Sequence, residues 1–224
     1  MSEVRLQKKH LLAIRWFHWI NFPIMAIMVW SGLLIYWANP VYRIGWGSTT
    51  LLLMWNEDLF NRLGLAKGLA QGMAWHFLFA WFFTINGLLY VLFTWISGEW
   101  RQLVPTKGTL KEAWQVVLHD LRIRKEPLPR KKFNGAQQIA YTSIVLMGGL
   151  MALSGLAIYK PVQLSWLATL FGGYQAARFF HFWMTVGFCL FFLIHIAQVA
   201  RAGWNNFRAM LTGYELAPAE ETKP

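Results

Sequence analysis

The chain has 224 residues, 56% of them hydrophobic and 14% charged, with 14 Trp, 17 Phe and a mean hydropathy of +0.35. Ordinary soluble domains carry about 25% charged residues, so this composition excludes that class and directs attention to membranes. The net charge of +11 raises nucleic-acid binding, but no recognisable nucleic-acid motif accompanies it.

The charged residues gather into blocks and leave four uncharged windows: Trp16 to Tyr42, Gly68 to Gly98, Phe133 to Tyr159 and Phe179 to Ala200. Each is long enough to cross a hydrocarbon core of about 30 Å as a helix. None shows the period-2 alternation of a barrel strand, and lipid tolerates no other open backbone. The expected fold is therefore an all-α integral membrane protein, a four-transmembrane-helix bundle with helices at about 14–38, 71–97, 134–159 and 177–201. Residues 1–213 form one membrane domain in this reading, and 214–224 are a disordered tail.

The first window follows a basic N-terminal stretch, as a signal peptide would. Its apolar run exceeds the usual ~7–15 residues and no convincing small-residue cleavage site follows, so it is kept as a helix. It carries His18 near its start and Gly32 further on. The segment after it holds Leu51-Leu52-Leu53-Met54-Trp55, too short to span and suited to an interface or a partner. The second window carries His76 and Gly87. Between the second and third windows lies a basic loop in which Thr106 to about Arg124 suits a short amphipathic helix ended by Pro127 and Pro129. Its Lys and Arg suit anionic lipid heads as well as protein. His119 in this loop is expected to be a solvated histidine, with a proton relay as the alternative role. The fourth window carries His181, His195 and Cys189, the single cysteine, which reads as a small apolar core residue.

Basic residues orient the bundle. Of the 21 Lys and Arg, only Arg43, Arg62, Lys67, Lys160 and Arg178 fall in the loops after the first and third windows. By the positive-inside rule both termini and the central loop are cytoplasmic. His18 and His195 then lie at the inner level, and His76 and His181 at the outer one. His181 and His195 are fourteen residues apart, which returns a helix to within roughly 40° of the same face about 21 Å further along. Ionisable residues at membrane depth are functional suspects. Two depth-matched pairs of imidazoles are what two b-type haems require as axial ligands, His18 with His195 and His76 with His181. Neither HExxH nor clustered-histidine metal motifs are present. Gly32 lies at the depth of the outer pair and Gly87 at that of the inner one, each offering room where a macrocycle could pass; close helix packing is the alternative.

The segments Arg15-Trp16-Phe17-His18-Trp19, Ser31-Gly32-Leu33, Phe133-Asn134-Gly135-Ala136-Gln137-Gln138 and Arg178-Phe179-Phe180-His181, together with His195, resemble the bacterial cytochrome b561 superfamily. The likeness is to the di-haem cytochrome b subunits of formate dehydrogenases, nickel-iron hydrogenases and thiosulfate reductases, over about residues 10–213. It implies a multi-pass protein of the bacterial cytoplasmic (inner) membrane carrying two haem b. It also implies electron exchange between menaquinone or ubiquinone and a periplasmic molybdenum or nickel-iron enzyme, joined through an iron-sulfur protein. Haem propionates then want cations, with Arg15 and Arg201 inside and Arg178 and Lys160 outside as candidates. Quinone hydrogen bonding near the inner haem has Asn21, Gln137, Gln138, Tyr141 and Gln198 as candidates. Two other readings are a self-contained superoxide:quinone type oxidoreductase and a haem-free structural anchor.

Overall fold

A computed structural model describes residues 4–39, 41–46, 49–53, 57–123 and 133–218. Four long helices, α1 (Leu12–Tyr36), α3 (Leu69–Ile96), α6 (Gly135–Tyr159) and α8 (Tyr174–Thr212), are apolar and long enough to cross a membrane. Shorter elements join them: strands β2 (Arg43–Trp46) and β3 (Thr49–Leu53), and helices α2 (Glu57–Arg62), α4 (Trp100–Leu103), α5 (Thr109–Asp120) and α7 (Ser165–Leu170). Strands β1 (Val4–Lys8) and β4 (Tyr214–Pro218) lie at the two ends. Large apolar side chains point away from protein along the spans, with Leu88 65%, Trp95 71% and Leu193 64% exposed. In water each would forfeit about 25 cal/mol per Å² of unburied apolar surface; in lipid that surface is already solvated.

The first three spans start and stop within a few residues of the expected bounds. The fourth does not: α8 runs on to Thr212 instead of ending near 201, turning at Gly203, where φ 80° and ψ 175° suit only glycine. Charges after Ala200 end the uncharged window but not the helix. The apolar run Leu51–Leu53 pairs as a strand, β3 antiparallel to β2; so short a run carries no periodicity to separate strand from interfacial helix. Met54 to Asn56, and Arg124 to Lys132 with both prolines, lie outside the described residues. The amphipathic helix expected in the central loop is α5.

The chain divides into two compact units, residues 18–86 and residues 1–17 with 87–224. In the smaller unit two glycines let α3 approach α1. A Cβ at Gly72 would lie 2.9 Å from the Ser31 carbonyl oxygen and 2.7 Å from Leu34 Cβ, and one at Gly68 would lie 2.7 Å from Leu34 Cδ2. Such small-residue contacts are how helices pack where lipid removes the hydrophobic driving force. Leu34, Phe60 and Leu65 close the far end as a buried cluster against Tyr36. Deeper in the unit, Asn86 donates from Nδ2 to Asn21 Oδ1 at 2.9 Å.

In the larger unit α6 packs along α8, and α5 packs on the start of α6. Helix α6 begins with a capping box: Gln137 N donates to Asn134 Oδ1 at 2.9 Å and Asn134 N to Gln137 Oε1 at 3.0 Å. The Gly135 N–H donates to Glu112 Oε1 at 3.1 Å, tying α5 to this cap.

The C-terminal segment corrects the expectation of a disordered tail from 214. Tyr214 to Pro218 pair antiparallel with Val4 to Lys8, in register Lys8 with Tyr214 through Val4 with Pro218. Polar contacts fix the pairing: Lys9 Nζ reaches Glu215 at 2.6 Å and Asn206 at 3.0 Å, and Asn205 exchanges two hydrogen bonds with the Leu216 backbone. The partners of Lys9 lie some 200 positions away in the chain, beyond any local pattern.

A Cβ at Gly135 would meet Thr109 O at 2.6 Å and Ala113 N at 2.8 Å, both rigid backbone atoms. Gly135→Ala is expected to cost about 1–3 kcal/mol, measured as a lower thermal midpoint in detergent with haem content unchanged at low temperature.

Candidate functional site

In the smaller unit the His76 imidazole sits on α3 against the Ser31-Gly32 step of α1. Its Nδ1 lies 3.0 Å from Ser31 Oγ, and a Cβ at Gly32 would be 3.4 Å from its Cε1. Ser31 is fully buried, and its hydroxyl also reaches back to the Ile27 carbonyl at 2.6 Å and the Met28 carbonyl at 3.2 Å. Gly32 thus makes room for an imidazole; the space foreseen at this glycine is filled by His76.

The larger unit repeats the arrangement with different residues. His181 on α8 places Nδ1 3.0 Å from Ser154 Oγ on α6, and a Cβ at Gly155 would lie 3.2 Å from His181 Cε1. Ser154 is fully buried and its hydroxyl reaches the Met151 carbonyl at 3.1 Å. Thr185 Oγ1 bonds the His181 carbonyl at 3.0 Å. One hydroxyl and one missing side chain hold each ring.

The other two histidines are set by aromatic packing. His195 stacks on Phe191, one turn earlier on α8, with centroids 5.9 Å apart and planes 7° from parallel. His18 stands edge-on to Trp19 at 5.0 Å. A Cβ built at Gly87 meets no atom within 4 Å, so that glycine fronts open space.

Among the cationic candidates, Arg15 is committed to the end of α8, donating from Nε to Met210 O at 3.3 Å and from Nη2 to Leu211 O. It neutralises unpaired carbonyls at a helix C-terminus. Arg201 pairs with Asp120 at 3.2 Å. Arg178 bonds Gln175 at 3.3 Å and lies over the Tyr174 ring, and Lys160 lies over the Tyr159 ring at 4.6 Å. A residue the sequence reading used only for topology stands out instead. Arg208 holds Nε and Nη2 out of solvent with no hydrogen-bond partner among the described residues. A half-buried guanidinium with two nitrogens in that condition is suited to an anion.

Most candidates for quinone hydrogen bonding have structural roles. Asn21 accepts from Asn86, and Gln137 closes the α6 cap. Gln138 bonds Thr109 Oγ1 and the Gln102 carbonyl, and Gln198 donates to Asp120 at 3.0 Å. Tyr141 packs edge-on to Phe133 at 5.4 Å and is the one of the five not tied into a hydrogen bond among the described residues. His119, on α5, has Nδ1 buried and 3.9 Å from Asp120 Oδ1, too long for a hydrogen bond.

Ser154 and Gly155 were missed, although a signal for them is present. Ser31-Gly32-Leu33-Leu34-Ile35-Tyr36 ends α1, and Ser154-Gly155-Leu156-Ala157-Ile158-Tyr159 ends α6. The shared Ser-Gly-Leu-x-Ile-Tyr marks an internal repeat, and each copy meets a histidine of the next long helix. Four apolar spans that carry half-buried, hydrogen-bonded imidazoles suit a membrane cytochrome of the b type. The chain belongs to the prokaryotic cytochrome b561 family, which it matches over residues 9–213. It is 30% identical, over 198 residues covering 88% of this chain and 92% of the relative, to a protein of Azospira oryzae that carries the name protein-methionine-sulfoxide reductase subunit YedZ1. No solved structure matches it. It is thus a multi-pass inner-membrane protein and a haem b electron-transfer subunit.

The two glycines differ in tolerance. At 3.2 Å a methyl on residue 155 presses the His181 ring, whereas at 3.4 Å one on residue 32 barely touches His76. Gly155→Ala is expected to alter the electron paramagnetic resonance signal of the low-spin ferric protein more than Gly32→Ala does, since sub-contact packing of this kind typically costs about 1–3 kcal/mol.

Proposed function

We propose that residues 1–213 form one cytochrome domain binding two haem b, with His18 and His195 as axial ligands of the cytoplasmic-side haem and His76 and His181 of the outer one. Both termini are cytoplasmic on this reading, as the basic loops favour. The observation that carries the proposal is the duplicated Ser-Gly-His arrangement. Two histidines on different helices, each in its own unit, are held alike at Nδ1. A structural histidine needs no such duplication, whereas a ligating imidazole is usually fixed by a partner at its other nitrogen, and here two rings are fixed alike.

Two other features fit a haem. Gly87 leaves open space on α3 at the level of the inner pair, and the half-buried Arg208 guanidinium suits an anion, which a propionate would supply. Arg208 therefore replaces Arg15 and Arg201 as the foremost inner propionate partner, because those two are already engaged. Bound haem supplies reversible one-electron chemistry at its iron. The chain's own residues fix ring orientation, compensate propionate charge and present lipid-facing surface across which a quinone can arrive. Tyr141, with its hydroxyl uncommitted, is the candidate donor to a quinone oxygen.

The partner is proposed to be an oxidoreductase on the outer face. The name carried by the Azospira relative directs the choice to a methionine-sulfoxide reductase. Reducing a sulfoxide to a thioether and water takes two electrons and two protons, which a quinol carries. Cys189 is the only cysteine, so the chain has no dithiol with which to reduce a sulfoxide itself; the chemistry belongs to the partner.

His18→Ala, His76→Ala, His181→Ala and His195→Ala are each expected to lose one of two haems per chain, counted as pyridine haemochrome against protein. Two haems retained in any of these variants would remove that residue from the ligand set. Membranes holding the chain with its partner should reduce methionine sulfoxide at the expense of a quinol, and His76→Ala should lower that rate at least tenfold, about 1.4 kcal/mol in barrier.

A further inference from the structure

Proton counting at the two serines says more than their distances do. A hydroxyl has one proton to donate and two lone pairs to accept with. At Ser31 the oxygen lies 2.6 Å from the Ile27 carbonyl oxygen and 3.2 Å from that of Met28. Carbonyls cannot donate, and two bare acceptors do not approach to 2.6 Å, so the Ser31 proton lies on that carbonyl side. The contact between Ser31 Oγ and His76 Nδ1 at 3.0 Å must then take its proton from the ring. Ser154 is placed alike, its oxygen 3.1 Å from the Met151 carbonyl and 3.0 Å from His181 Nδ1; donation to that carbonyl, as at Ser31, makes the ring the donor. On this assignment both imidazoles are the Nδ1–H tautomer, with the lone pair on Nε2.

We propose that Ser31 and Ser154 are paired positioning residues: together they lock both axial ligands of the outer haem into the tautomer whose Nε2 can bind iron, and they lower that haem's midpoint potential. This rests on the proposal that His76 and His181 ligate one haem. An axial imidazole whose N–H is accepted by an oxygen becomes a stronger electron donor to the metal. Each serine oxygen is itself polarised by its own donation to a backbone carbonyl, which strengthens its acceptor character. In the membrane interior no water stands ready to replace it. Two such bonds act on the same iron and shift its potential in the same direction. The inner-level rings of His195 and His18 pack on Phe191 and Trp19, a different kind of support, so a difference between the two haems is built into the helices.

The test is a spectroelectrochemical titration of the purified chain in detergent, resolving two potentials, for Ser31→Ala, Ser154→Ala, the double variant and Ser→Thr at each site. Each Ala variant is expected to raise the same one of the two potentials and to broaden one low-spin ferric resonance signal, with the double variant raised further. Threonine, which keeps the hydroxyl, should return the wild-type potential. If an Ala variant instead drops a haem, its return in the Thr variant supports the proposal, and loss in both overturns it. Unchanged potentials and resonance signals in both Ala variants overturn it, as do shifts that fall on different haems. Failure of the ligand reading is separate: it shows as two haems retained in His76→Ala or His181→Ala.

Discussion

Inside hydrocarbon a polar group has only the protein to bond with, and the long helices of this chain are organised by that constraint. Thr84, Thr94 and Thr185 turn their hydroxyls back on carbonyls one turn earlier, Ala80, Tyr90 and His181. Asn86 finds Asn21. Ser31 and Ser154 do both things at once, reaching a carbonyl of their own helix and an imidazole nitrogen on another. A histidine in lipid is expensive unless one nitrogen is paired. Pairing Nδ1 leaves Nε2 as the second nitrogen of the ring, so on the proposed reading the interaction that makes the ring tolerable also selects the atom offered to iron.

Small residues are the second half of that arrangement. A serine can reach a ring on a neighbouring helix only if the backbones come close, and Gly32, Gly72 and Gly155 provide the approach. With Gly72 set against Ser31 O and Leu34, α3 lies close enough to α1 for His76 to meet Ser31. The Ser-Gly step is therefore one functional element: the first residue bonds the imidazole and the second vacates the volume the ring occupies. Close packing of this kind on rigid helices is what holds side chains in a fixed geometry without loops or lids.

Much of this was legible in the residues. Charge-free windows predict the four spans because the cost of charge in lipid leaves few alternatives, and the histidines are visible because such residues are rare there. What was not legible depends on long-range contact. The β1–β4 pairing joins chain ends whose alternation is too brief to register alone. Gly32 reads as space for a macrocycle until His76 is seen to fill it. The roles of Gln137, Gln138 and Gln198 cannot be separated by type, because a cap, a tether and a ligand all require the same amide. Ser154 was within reach of a search for internal repeats, since its hexapeptide copies the one at Ser31.

Extending that repeat explains how the histidines are distributed. His18 precedes Ser31 by thirteen residues, and Tyr141 precedes Ser154 by thirteen; His76 precedes Tyr90 by fourteen, as His181 precedes His195. The chain therefore reads as two copies of one helical hairpin, alike in the Ser-Gly step and the histidine that meets it, and unlike at the positions thirteen or fourteen residues away. Each copy contributes one histidine and one Ser-Gly step. At the other positions one copy keeps histidine on its first long helix and tyrosine on its second, and the other does the reverse. On the proposed reading one haem then draws on equivalent positions with equivalent serines, and the other on inequivalent ones, His18 and His195. On that reading a duplicated hairpin carries two chemically similar cofactors in unlike surroundings, and unlike hydrogen bonding around the axial ligands separates their potentials.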